Sequence, residues 1–305
     1  MRIIDAGMVA FAAFHALKGK VAWPLTFQVP RMVRSIVARA EDAYVLCWNP
    51  ERLWKSDLWP AYQAGRPEIW DLAGRDDFAR LLEVLAALGA VQYRTDPLES
   101  DEVMAALVHR LADGAASRGR RASRGRRASR GDIVIVSDDK DFFQLLSGSI
   151  RMEGRVRGTV RATDVKRILG VGPGYVADYL ALTGDATDGI PRVLSPTAAL
   201  RLLASRGHVR DWIDRKLRVG DALAKRLEAG CEQIRINLEL VDLSRAAVES
   251  RGAPGAPLLE GWGEIDRARA IGERARVAWL REETLGTDWA PLRRWGERAR
   301  EILGV

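Results

Sequence analysis

The chain has 305 residues, 47% of them hydrophobic, two cysteines and a net charge of +7. That length suffices for one large α/β domain plus a smaller appendage. Cys47 and Cys231 alone exclude a disulfide framework and a cysteine-only zinc site, and no apolar run reaches the ~18 residues of a membrane span.

The N-terminus, MRIIDAG, enters a strand-like run at once and carries no signal-peptide pattern, so the chain reads as soluble and cytoplasmic, with no membrane partner. The first predicted strand, RIID (2–5), closes on Asp5. A second, AYVLCWN (43–49), ends on Asn49. FARLLEVLAALG (78–89) has apolar residues at helical spacing and stops at a glycine. The strand AVQYR (90–94) follows, then a helix over LESDEVMAALVHRLA (98–112), with Asp96 placed to cap it and Pro97 suited to its first turn.

Residues 116–131, ASRGRRASRGRRASRG, repeat a six-residue unit with seven arginines and no acid. A net charge of +7 less those seven leaves the rest of the chain neutral. Such a segment cannot bury enough apolar area to offset its ordering entropy and reads as disordered. It is either a solvated loop or a polybasic arm that grips phosphates. The strand DIVIVSD (132–138) then runs into Ser-Asp-Asp-Lys-Asp and a helical stretch at 141–147. Residues 149–163 read as short strands at a sheet edge.

From about 164 the pattern is helical. PGYVADYLALTG (173–184) starts with Pro and stops at Gly, and SPTAALRLLAS (195–205) starts with a Ser-Pro cap signal. GVGPG (170–174) follows no strand and reads as a turn. A Gly/Pro linker at 251–257 leads to a helical tail. His15, His109 and His208 are scattered and read as surface or packing residues. The predicted organisation is a core at 1–163 with the basic insertion at 116–131, a helical region at 164–250, and a linker and tail at 251–305. The fold class is α/β, with a mostly parallel sheet flanked by helices.

The acids carry the chemistry. In an open α/β sheet the ligand site lies beyond the carboxyl ends of the strands. Asp5, then Asp138, Asp139 and Asp141, close two strands. Glu99, Asp101 and Glu102 open a helix that follows another, with Glu99 and Glu102 on one face. Asp185 and Asp188 share the loop GDATDGIP (184–191). Taken singly, Glu99 is equally a capping-box partner of Asp96, Asp138 an exposed turn residue, and the others turn or cap acids. Together they would repel and stay partly protonated unless divalent cations intervened. An acid-only site favours Mg²⁺ or Mn²⁺ over zinc, and two such ions about 4 Å apart suit displacement at phosphorus.

RIIDAGMVAFAAFHAL, LWKSDLWPAYQAGR (53–66), LESDEVMAAL, VSDDKDFFQLL and DYLALTGDATDGIPRV (178–193) occur in an order that resembles the bacterial and bacteriophage 5′→3′ exonuclease/flap endonuclease family. The resemblance covers roughly residues 2–205. It implies a PIN-like metal-nuclease core and a helical hairpin that binds DNA. It also implies hydrolysis near 5′ ends or flaps, RNA primers in RNA–DNA hybrids included, in replication or repair, with two Mg²⁺ or Mn²⁺ ions. Matching positions nominate Asp5, Glu99 and Asp101 for one metal region and Asp139, Asp141, Asp185 and Asp188 for the other, with Asp5, Asp101, Asp139 and Asp141 the catalytic core. Glu102 stands where the family has Asp. Arg66, Arg75, Arg80, Arg192 and Arg201 are nominated for phosphates, and a polymerase would be a separate partner chain.

Three departures stand out. Asn49 replaces a metal-side Asp, Gln63 replaces a Lys near the scissile phosphate, and Val193 and Leu194 replace a Gly-x-Gly turn that presents N–H groups to phosphate and binds a monovalent cation. They motivate a rival reading, a catalytically weakened DNA-structure-binding protein of the same fold. A structure-specific ribonuclease is a third.

Overall fold

The computed structural model describes residues 1–38, 43–50, 53–64, 72–95, 97–121, 132–213, 222–251 and 289–303. Among them, six strands form one sheet. They are β1 (Arg2–Asp5), β2 (Tyr44–Cys47), β3 (Gln92–Tyr93), β4 (Ile133–Val136), β5 (Ile150–Gly154) and β6 (Gly158–Val160), in the spatial order β3-β2-β1-β4-β5-β6. All neighbours are parallel except β5–β6, an antiparallel hairpin at the edge. The order runs outward in both directions from the β1/β4 pair, so the topological switch point lies there, where ligands of such sheets bind.

The strands alternate between two covered faces, as their continuous apolar runs demand. Ile4, Tyr44, Leu46, Val134 and Val136 face one core with α1 (Ala6–Leu17), α2 (Pro24–Ala38) and α4 (Leu72–Ala87). Ile3, Val45, Cys47, Ile133 and Ile135 face the other with α5 (Ser100–Arg121). The later helices join this second core: α7 (Val176–Thr183), α8 (Pro196–Arg206), α9 (Val209–Trp212), α10 (Ala222–Val241) and α11 (Arg245–Arg251). Between sheet and helices, β6 leads into α6 (Ala162–Leu169). A last described helix, Ala290–Leu303, packs against β2 and α2. Its Gly296 passes so close to Gly89 that an added Cβ would sit 2.1 Å from the Gly89 carbonyl oxygen.

Two expectations change. The stretch after β4 is a 3-10 turn, Lys140–Leu145, because its Asp139 cap and short length do not sustain an α-helix. α5 runs to Arg121, so the first six residues of the repeat are helical rather than loop. Alanine and arginine propagate a helix already nucleated by packing. Residues 122–131, and with them most of the repeat, lie outside the described residues, as do Asp96, Arg66 and the 252–288 part of the linker and tail. GVGPG is a turn: Gly170 ends α6 at φ 84°, and Pro173–Tyr175 form a 3-10 turn. Among the described residues no helix is long and apolar enough to cross a membrane.

Candidate active site

The site is assembled at the β1/β4 switch point. Asp5 ends β1 and caps α1, its Oδ1 accepting the Met8 N–H at 3.0 Å; its Oδ2 accepts the Ser137 hydroxyl at 3.0 Å. The same Ser137 oxygen accepts the Asp139 N–H at 3.2 Å. Buried Ser137 thus ties the end of β1 to the acidic turn after β4. Asp139 in turn accepts the Asp141 N–H at 2.9 Å, the cap of the 3-10 turn.

Burial pushes the Asp5 carboxyl up to about 6, with Asp139 and Asp101 adding repulsion against the hydrogen bonds that oppose it. Asp141 is pushed well above the usual carboxylate range by burial and then by Asp139 and Asp188. Asp139 presents its residue surface to solvent, yet its carboxyl is desolvated among these neighbours and raised, with Asp101 contributing. These mutual repulsions place Asp5, Asp101, Asp139, Asp141 and Asp188 around one small region.

The other side of the cluster is built on α5 and α3 (Trp54–Leu58). Here Lys55, 1% exposed, lays its ammonium 2.7 Å from Asp101 Oδ2 and 3.6 Å from Glu99 Oε2. Burial works against the Lys55 charge, but Asp101, Glu99 and Glu102 outweigh it and hold its pKa well above the ordinary value. Burial raises Glu99 too, and Lys55 opposes that rise. Glu99 Oε2 also accepts the Tyr62 hydroxyl at 3.0 Å, and Gln63 Nε2 donates to that hydroxyl at 2.9 Å.

Glu102 is fully engaged. Its Oε2 accepts the Glu99 N–H at 2.9 Å and the Trp54 indole N–H at 2.8 Å, while Oε1 accepts Arg251 at 2.9 Å. Glu102 therefore reaches back to the N–H three residues before it, as an N3 acid does, but without the reciprocal half of a capping box, since its own N–H donates to Asp101 Oδ1 at 2.8 Å. Asn49 is spent similarly: its Oδ1 accepts the Ser100 N–H at 2.8 Å, capping α5 from the end of β2. Asp138 receives the N–H groups of Arg155 and Val156 at 3.1 and 2.9 Å and holds the β5–β6 hairpin, so it is half-buried rather than exposed.

The 184–191 loop delivers the remaining acids. Asp185 pairs with Lys140, which holds its pKa below the usual range against the cost of burial. Asp188 is buried, and its carbonyl accepts the Gln63 N–H at 2.9 Å. Trp59 donates its indole N–H to the Gly189 carbonyl at 3.0 Å. Gly189 has φ 71°, and a Cβ there would sit 2.2 Å from the Ala61 oxygen. Gln63 itself adopts φ 53°, a rare conformation for a non-glycine residue. The segment carrying Lys55 and Tyr62 is therefore clasped to the loop carrying Asp188.

Two oxygens in this cluster are buried without a hydrogen-bond partner, Asp141 Oδ1 and Glu99 Oε1. Such atoms are rare in folded proteins and mark either strain or a missing ligand. Among the described residues no three His, Cys, Asp or Glu side chains converge closely enough to hold an ion in the arrangement seen. Lys55 and Lys140 hold Glu99, Asp101 and Asp185 instead.

The other nominated residues are more dispersed. Arg80 lies over the Trp23 ring at 4.1 Å, at the start of α2, and Arg75, Arg192 and Arg201 are exposed. Val193 and Leu194 both donate their N–H groups to the Leu182 carbonyl, at 3.1 and 2.8 Å, and Val193 fills the space over Gly230, where a Cβ would lie 2.4 Å from its Cγ1. Sequence reasoning missed Ser137, Lys55, Tyr62, Trp54 and Arg251. Only Lys55, a cation inside the quoted LWKSDLWPAYQAGR motif, left a trace that could have been followed.

Fold and cluster together define an α/β protein whose functional edge is built from hard oxygen donors. The chain belongs to the 5′-3′ exonuclease family: the profile of the 5′-3′ exonuclease N-terminal resolvase-like domain matches residues 1–169. It is 30% identical over 250 residues to a thermostable DNA polymerase I of Thermus filiformis, a match taking in 78% of this chain and 28% of the polymerase. It is 30% identical over 210 residues to the flap endonuclease Xni of Shewanella pealeana, covering 65% of this chain and 72% of Xni. The chain thus spans only about a quarter of the polymerase relatives it matches. The solved structure of the phage T5 D15 protein, co-crystallised with metal ions, superposes with a TM-score of 0.66 over 99% of this chain and 98% of that one; at 16% identity the likeness is one of fold. The family read from the motifs, and the α/β fold expected with it, are those found.

Proposed function

We propose that this protein is a divalent-metal-dependent 5′→3′ exonuclease and flap endonuclease that hydrolyses DNA phosphodiester bonds. One observation carries the reading: in a chain of this family, Asp5, Asp139 and Asp141 crowd one edge beside buried Asp188, burial raises the carboxyl pKa of all three, and Asp141 keeps a buried, unpartnered oxygen. The donor chemistry fits a hard cation, Mg²⁺ or Mn²⁺, because the cluster offers oxygens and no soft ligand. Bound divalent ions supply Lewis-acid stabilisation of the charge that develops on the phosphate.

The chain's own residues do the rest. Asp5, Asp139, Asp141 and Asp188 would hold the ion, and Glu99, Asp101 and Asp185 border it. Glu102, saturated by hydrogen bonds, anchors α5 rather than ligating. Ser137 orients Asp5 and the Asp139 backbone. The Lys55 ammonium stands ready to offset phosphate charge beside Asp101, where Gln63 supplies none. Arg75, Arg192 and Arg201, with Arg66 and Arg80, are the candidate phosphate contacts of the duplex. DNA with 5′ ends or flaps is the proposed substrate and RNA–DNA hybrids a further one, with the cytoplasm the proposed location and a DNA polymerase a proposed partner.

The rival reading, a DNA-structure-binding protein with little catalysis, is favoured by Asn49 capping α5 and by the Val193 and Leu194 N–H groups already being consumed. A 5′-flap DNA incubated with Mg²⁺, Mn²⁺ or a chelator separates the two. Cleavage that needs the metal and vanishes in Asp141→Asn, with flap binding retained, supports the nuclease. Binding without metal-dependent cleavage supports the rival.

A further inference from the structure

Building on the nuclease reading above, we infer that Gln144 is a positioning residue of the site. Its side-chain amide latches the turn that carries Asp141 to the Val241–Leu243 turn at the end of α10, and that latch sets where the Asp141 carboxyl stands.

Asp141 depends on its backbone for its place. Its buried Oδ1 makes no hydrogen bond, so that oxygen anchors nothing. The main chain is held on both sides instead: the Asp141 N–H donates to Asp139 Oδ1 at 2.9 Å, and the Asp141 carbonyl accepts from Gln144 Nε2 at 2.8 Å. The residue lies in a six-residue 3-10 turn, whose hydrogen bonds have poorer geometry than those of an α-helix. Keeping a reactive carboxyl within about 0.5 Å of its working position takes support from outside such a turn.

Gln144 supplies that support. Its Nε2 also donates to the Val241 carbonyl at 2.9 Å, and its Oε1 accepts the Leu243 N–H at 2.9 Å. These two partners lie 97 and 99 residues further along the chain. Turning the amide over would set its oxygen against two carbonyls, so the network fixes one orientation. A glutamate there could not donate, and a lysine could not accept.

The receiving turn is a common reference for the other acid-bearing segments. The Asp242 carbonyl accepts from Arg251 Nη1 at 2.8 Å, and that same Nη1 meets Glu102 at 2.9 Å. The Leu243 carbonyl lies 3.0 Å from His109 Nε2 on α5. One helical turn before Val241, Asn237 donates to the Pro191 carbonyl at 2.8 Å and so holds the loop of Asp188. Residues beyond the 1–169 domain therefore fix the spacing of acids that mostly lie within it.

The test compares the full-length wild type with Gln144→Met, which keeps the length and loses all three bonds. Gln144→Ser leaves room for water at the freed backbone groups and serves if the methionine variant does not fold. Leu292→Ala, at a fully buried residue of the C-terminal helix in the other core, is the control for lost stability. The readouts are flap-DNA affinity in chelator, single-turnover flap cleavage at saturating Mg²⁺, and Mn²⁺ affinity without DNA by electron paramagnetic resonance. The Gln144 variants are expected to cleave roughly 10- to 100-fold more slowly and to bind Mn²⁺ about tenfold more weakly, with flap affinity within about twofold of wild type. Leu292→Ala is expected to melt at a lower temperature and, where folded, to cleave within about twofold of the wild-type rate. A rate loss under about threefold in the Gln144 variants, or an equal loss in Leu292→Ala, overturns the inference and leaves the nuclease reading standing. A wild type that cleaves with neither Mg²⁺ nor Mn²⁺ removes that reading, and the positioning role with it.

Discussion

The carboxylate cluster and the 184–194 hairpin loop meet at Asp188, yet they are built on opposite terms. The loop is closed and satisfied. Asp185 and Ile190 exchange both backbone hydrogen bonds, at 3.0 and 2.8 Å, and Val193 and Leu194 donate to Leu182. Asn237, fully buried on α10, donates to the carbonyls of Ala181 and Pro191, both at 2.8 Å. The cluster instead leaves buried oxygens unpartnered and carboxylates repelling one another. A fold tolerates such disagreement where a ligand resolves it, and removes it where the role is packing. The difference supports the proposal that the cluster, rather than the hairpin, is where a ligand binds.

The sharpest way to break the comparison is Asp141→Asn. We expect the rate of flap cleavage to fall about a thousandfold, equivalent to about 4 kcal/mol of barrier, while the metal-free protein melts at a higher temperature because one repelling buried charge is gone. A lower melting temperature would show that the cluster is structural. Next comes Gly189→Ala, which places a Cβ against the Ala61 carbonyl at φ 71°. A loss of about 2–4 kcal/mol in denaturant unfolding is expected, together with weakened metal binding as Asp188 shifts.

A pH series separates the two regions next. In metal-free protein the Asp5 carboxyl titrates near 6 when folded and near 3.8 when unfolded. The native state therefore holds the extra proton between those values, and stability falls as pH rises from about 4 to 6. Thermal melts should show this decline without metal and lose it with saturating Mg²⁺. A metal-free melting temperature that rises over that range would contradict the buried placement of Asp5.

The smallest effects test the departures. Because the Val193 and Leu194 N–H groups are taken, replacing K⁺ by Na⁺ at constant ionic strength should leave flap binding within about twofold, which is under about 0.4 kcal/mol. A strong preference for K⁺ would reopen the hairpin as a cation site. Asn49→Asp keeps the cap on Ser100, since Asp and Asn cap equally well, and should change the metal dependence of cleavage by less than about twofold. A large gain would place residue 49 among the ligands.

Much of this was readable along the chain because strand ends announce themselves. Four apolar residues running into Ser-Asp-Asp-Lys-Asp mark the carboxyl end of β4, and Asp5 marks that of β1; parallel pairing of buried strands then brings the two together. The acids of α5 and of the Gly-bounded loop were legible for the same reason. Their roles were not. Glu102 is a candidate ligand in sequence and Asn49 a lost one, yet both side chains accept N–H groups at the start of α5, from Glu99 and Ser100, because a cap is defined by which N–H lies opposite.

The amino-acid sequence by itself determined the α/β class, the family and the edge on which the acids gather, since these follow from local periodicity and from where apolar runs stop. Only the tertiary structure decided which acids stay uncompensated. Lys55 and Arg251 reach the cluster from helices distant along the chain, and an ion pair in a buried site forms by proximity in space, which no spacing in the sequence encodes.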